Sequence, residues 1–326
     1  MVQPFLPRNL ILRGQVVTAE ITLKPELEDK LDAKPDTRHN SENAVPLNFA
    51  DLKQVRGLDL RDRNFDYADL SRSSLPKADL RYTSFKRAIL RGIRLDAAQL
   101  DYAQLDNVDL NGVSLVDKKL SNVNLRSADL SKAELHGAVL QEAHMFGAVL
   151  RDAEMHGADL QFAQMHSADL TNAHLSFANL SSAELYGAIL QRSNLTGANL
   201  VNTKLFGATL RFATLLSADL RSAELPGADL RSVELLGANL QYADLSGANL
   251  LNAKLSGTDF TNAKLRGAII ADIRLTKFQA QEIGGQYLDA LKLQPIDQNF
   301  LNLVELDSKV KGFTSKIQKP PIFPDK

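Results

Sequence analysis

Hydrolytic or metal chemistry would need His, Asp, Glu or Ser set at motif spacing. The chain has six histidines, but no HExxH, no Walker-type loop and no GxGxxG. Ser, His and Asp occur without a nucleophile elbow to organise them. What remains are residues 20 apart. His136 and His156 share such a column, and so do Glu134, Glu154 and His174. Two imidazoles suit a divalent metal only with further ligands, and the next residues in the first column, Ser176 and Thr196, are poor ones. These two columns read best as solvated ladders. A third column, Phe146, His166, Tyr186 and Phe206, is aromatic and is the candidate partner surface. The competing expectation is that its rings only stack on one another. Leu216 and Leu236 are expected on the opposite face. No catalytic, cofactor or metal-binding residue is assigned.

The elements that would align such columns are set by a repeat. From Leu60 to Leu275 every position divisible by five is apolar, giving 44 consecutive centres. Leu fills 37; the others are Phe65, Phe85, Phe260, Met145, Met155, Met165 and Ile270. The residue two places earlier is usually Ala. A helix would scatter a five-residue period around its surface, and a flat strand would send alternate leucines into water. Both failures disappear if the backbone turns a corner every five residues, so the pattern predicts a solenoid with its leucines on the axis. Fourteen of the 18 glycines fall two residues after a centre, where a sharp turn would use φ > 0.

The stretches "ADLSGANL", "GADLRSVEL" and "NLTGANLVN" resemble the A(D/N)Lxx motif of the pentapeptide repeat family over residues 55–275. That resemblance implies an all-β solenoid, a right-handed quadrilateral β-helix of four pentapeptides per coil and about 11 coils. The sequence itself hints at 20: Phe65, Phe85, Met145 and Met165 are separated by multiples of 20 and would stack in one interior column. Arg63 and Lys118 stand at inward positions, where a buried cation is costly. Each predicts a bulge or a stem that snorkels outward.

Residues 1–54 lose the register and are expected to form an N-terminal cap and linker. Residues 276–326 leave it again and predict a C-terminal cap with some helix and an extended Pro-rich tail. One helical face there gathers Phe300, Leu301, Leu303 and Val304, for capping or for a dimer.

Composition narrows the function classes. Lys+Arg number 38 against Asp+Glu 39, which gives no prior for nucleic acid or an anionic membrane. Cysteine is absent, so disulfides are excluded. With no signal-peptide pattern and no apolar run of membrane-spanning length, the expected location is the cytoplasm. Residues 72–94 carry Arg72, Lys77, Arg81, Lys86, Arg87, Arg91 and Arg94 against Asp79 alone. Residues 141–190 carry Arg151 against Glu142, Asp152, Glu154, Asp159, Asp169 and Glu184. The functional expectation is a non-enzymatic scaffold that presents its faces to a protein partner, as monomer or as homodimer through a terminal segment. The alternative, suggested by the resemblance, is a DNA mimic that binds gyrase. Against it, the column Asp109, Asp129, Asp169, Asp229 is interrupted by Val149, Ile189 and Thr209.

Overall fold

A computed structural model describes residues 57–269. The expected cap helices, with Phe300, Leu301, Leu303 and Val304, lie outside the described residues, as does Ile270.

Each quintet repeats one set of bonds. The residue three after a centre donates its N–H back to that centre's carbonyl, closing a turn, as in Ala128 to Leu125 at 3.1 Å. The residue two after the centre sits at positive φ in all 43 quintet turns from Gly57 to Gly267, between 53° and 72°. A turn with φ > 0 only at its third residue is the type II arrangement. Three further N–H groups per quintet reach neighbouring coils. Leu125 donates to the His144 carbonyl at 2.8 Å, Ser127 to Phe146 at 2.9 Å and Asp129 to Val108 at 2.9 Å.

The fifth N–H, on the residue after the centre, is met by a side chain. Every Asp or Asn directly before a centre, 18 of them among the described residues, accepts it through Oδ1. Asp129 takes the N–H of Ser131 at 2.9 Å in this way. The D/N of the motif is therefore a backbone cap, in the manner of an Asx-turn.

The inter-coil bonds create isolated parallel bridges that pair residue i with residue i+20. Four quintets thus separate one coil from the next, so each quintet position becomes a column along the solenoid. The centres and the small residues two before them form one continuous core; Leu120 through Leu190 are fully buried. Phe65 and Phe85 stack inside at 5.3 Å between centroids, in the column that also holds Met145 and Met165. Where Ala is replaced by Ser or Thr, the hydroxyl usually finds a carbonyl: Thr203 Oγ1 donates to Leu180 at 2.8 Å. Ser73 Oγ is buried without a partner among the described residues.

Neither inward cation makes a bulge, since the register of 20 holds across both. Arg63 is half-buried and still donates its N–H to the Leu60 carbonyl at 3.3 Å. The Lys118 stem snorkels until Nζ meets the Val116 carbonyl at 3.4 Å. Beside Lys118 the ladder has a gap. From Asp59↔Asp79 to Asn249↔Ile269, 37 of 39 possible bridges form; Arg94↔Ser114 and Gln99↔Lys119 do not.

Candidate functional site

The column predicted from sequence lies on one corner of the coil, each member directly following a central residue. Phe146 and His166 have centroids 4.5 Å apart, His166 and Tyr186 4.8 Å, and Tyr186 and Phe206 6.2 Å. The Arg126 guanidinium lies over Phe146 at 5.3 Å and extends the column by one coil. Phe146, His166 and Tyr186 are half-buried, while Phe206 is 47% exposed. The rings do stack on one another, and their outer surface remains in solvent.

Polar groups fix the rings from one side. His166 Nε2 lies 3.0 Å from Glu184 Oε2, and Lys204 Nζ donates to Glu184 Oε1 at 2.9 Å. The Lys204 ammonium, then His166, hold the Glu184 carboxyl below its ordinary value. On the other side of the corner stand Val149, Asp169, Ile189 and Thr209, with Ile189 exposed. Burial pushes the Asp169 carboxyl up, but the hydroxyl and N–H of Thr171 and the Arg151 guanidinium outweigh it, and the net direction is down.

The other columns are also in register. His156 Nδ1 lies 3.0 Å from Ser176 Oγ, and its ring meets Phe177 edge-on at 5.6 Å. His174 Nδ1 lies 2.9 Å from Glu154 Oε2. Among the described residues, no three or more His, Asp or Glu side chains converge to hold a metal ion. Leu236 is exposed, in a column away from the aromatic corner.

Sequence reasoning missed a second aromatic set. Tyr67, Tyr82, Tyr102, Phe162, Phe177, Phe212 and Tyr242 are exposed, and every one occupies the positive-φ turn position. Tyr82 and Tyr102 stack at 5.0 Å, and Arg87 lies over Tyr67 at 5.8 Å. The signal was available, because all seven fall two residues after a centre. The basic stretch 72–94 is not one patch: Arg81 pairs with Asp79 at 2.6 Å, Arg91 with Asp109 at 2.9 Å and Arg94 with Asp96 at 3.7 Å.

No helix of the described residues is long and apolar enough to cross a membrane. No curated protein matches the chain. Among solved structures, the chain is similar to HetL, a pentapeptide repeat protein involved in heterocyst differentiation regulation from the cyanobacterium Nostoc sp. strain PCC 7120. Identity is 30%, coverage is 65% of this chain and 91% of that chain, and the TM-score is 0.35. It is also similar to QnrB1, a plasmid-mediated fluoroquinolone resistance protein, at 17% identity, 62% and 94% coverage and a TM-score of 0.40. Rfr23, a pentapeptide repeat protein from the cyanobacterium Cyanothece 51142, gives 18%, 51% and 89%, and 0.14. The family model described as "Pentapeptide repeats (8 copies)" matches overlapping segments that run from residue 54 to residue 272. With the five-residue turn, the side-chain cap and the 20-residue stacking all in place beneath that match, the chain belongs to the pentapeptide repeat family.

Proposed function

We propose that the protein is a non-enzymatic scaffold whose corner column Phe146, His166, Tyr186 and Phe206 receives a protein partner. The same reading takes the coil as a right-handed, four-sided β-helix of about eleven turns, on the order of 50 Å long at about 4.8 Å per turn. Residues 1–54 and 276–326 close its ends, which would otherwise offer unpaired strand edges.

The observation that carries the reading is the continuity of the aromatic edge. Four rings touch in series at 4.5–6.2 Å on a backbone tied to both neighbouring coils. Rings already held by stacking and by Glu184 lose little freedom when a partner covers them. A DNA-mimicking surface has less support. It needs free acidity, yet Asp109, Asp169 and Asp229 are paired by Arg91, Arg151 and Arg231.

The test is affinity capture from the native cell with the wild type and a Tyr186→Ser/Phe206→Ser variant. Both side chains lie outside the core, so the variant keeps the fold. A partner retained by the wild type and lost by the variant supports the proposal. Identical capture by both proteins contradicts it, and so does protection of gyrase in a supercoiling assay with quinolone.

A further inference from the structure

Lys118 holds the inward position that Ala98 and Ala138 occupy one coil before and one coil after. An unpaired ammonium in that apolar interior is costly, so the stem must leave between two coils. Its Nζ meets the Val116 carbonyl. In the regular pattern that carbonyl would accept the N–H of Ala97, as the His136 carbonyl accepts that of Asp117 at 2.9 Å. The Ala97 bond is absent. So are the regular bonds from the Gly92, Leu95, Ser114 and Lys119 amides to the facing coil. At the edge of the gap, the bond from Leu100 to the Lys119 carbonyl is stretched to 3.3 Å.

The other side of Lys118 is closed. Val139 donates to the Lys118 carbonyl at 2.9 Å, and Lys119 bridges to Val139. The defect therefore lies on the side where the lysine exits. The core beneath it is slightly wetter, with Ile93, Leu95 and Ala98 at 4%, 4% and 5% exposure against 0% at Leu120.

We infer that the solenoid contains a compliant joint between residues 92–99 and 111–119, held open by Lys118. Elsewhere among the described residues the coils are tied by three inter-coil bonds per quintet, with a single loss at the Tyr82 amide; here two adjacent sides of the coil lose theirs together, with both bridges. The Arg91–Asp109 ion pair at 2.9 Å remains as a tether near the gap. The joint separates the coils before residue 92 from the coils that carry the aromatic edge of residues 146–206, and lets these two parts of the solenoid tilt relative to each other.

Hydrogen exchange on the full chain, resolved by residue, tests this without reference to any partner. Amides of Leu95, Ala97, Ser114 and Lys119 should exchange on the order of 10-fold or more faster than their equivalents Leu115, Asp117, Glu134 and Val139. Lys118→Ala should restore the seam amides to the rates of those equivalents. Lys118→Met keeps the stem without the ammonium, and the Ala97 amide should slow in it as the Val116 carbonyl is released. Equal protection on both coils of the wild type would overturn the joint. A fast seam that stays fast in both variants would overturn the role of Lys118.

Discussion

At the scale of single residues, the motif's Asp or Asn works on the backbone before it works on anything else. Asp129 accepts the Ser131 N–H that no carbonyl reaches. Asp129→Ala should cost about 1 kcal/mol in thermal or chemical unfolding, and Asp129→Asn much less, since an amide oxygen fills the same role at Asn179 and Asn199. Some of these carboxylates do a second job. The guanidinium of Arg231 holds the Asp229 carboxyl below its ordinary 3.8, as Arg81 does for Asp79 and Arg221 for Asp219. A carboxylate with a lowered folded value leaves the unfolded chain binding more protons. Its contribution is complete above the ordinary value and is lost as pH falls through the lowered one. Melting temperature should therefore drop below about pH 4. Asp229→Asn should make that drop shallower by lowering stability modestly near neutral pH, where the Arg231 pair is lost, while matching the wild type at low pH, because the Asn keeps the cap. Ser73 carries the opposite imbalance, a buried hydroxyl without a partner among the described residues. Ser73→Ala restores the usual small residue and should raise stability by about 1 kcal/mol in a urea titration.

At the scale of the element, the unit is a five-residue corner, and its leucine was legible because no helix or flat strand accepts that spacing. The small residue two before it was legible for the same reason. The backbone state of the turn was legible only in part. Glycine marked 14 of the left-handed positions, but 29 others hold side chains, including Glu142 at φ 57°. Composition does not reveal these, because the inter-coil bonds impose the conformation on residues that locally disfavour it. Glycine relieves that strain. Glu142→Gly should raise stability by about 0.5–1 kcal/mol in chemical denaturation, the strain relief exceeding the added freedom of the unfolded chain. At Gly197 close approach adds to the angle, since a Cβ there would lie 2.6 Å from the Phe177 ring.

At the scale of the whole molecule, the columns exist only because coils repeat after 20 residues. The Phe and Met centres hinted at that number, and from it the aromatic edge could be named before any contact was known. Its details could not. Glu184 reaches His166 across 18 residues, and the seam at Lys118 depends on which of two neighbouring coils the side chain enters. Both are outcomes of packing between chain segments that sequence spacing does not order. The absence of native cysteine permits a direct test of the stacking. Ser176 and Thr196 occupy one outer column, and the Phe177 N–H reaches the Thr196 carbonyl at 2.9 Å. Adjacent coils at about 4.8 Å fall within disulfide reach, whereas positions two coils apart at about 9.6 Å do not. Under mild oxidation, Ser176→Cys/Thr196→Cys should form an intramolecular disulfide without loss of structure, and Ser176→Cys/Leu216→Cys should not. Cross-linking of the second pair with none of the first would contradict the 20-residue coil and every column built on it.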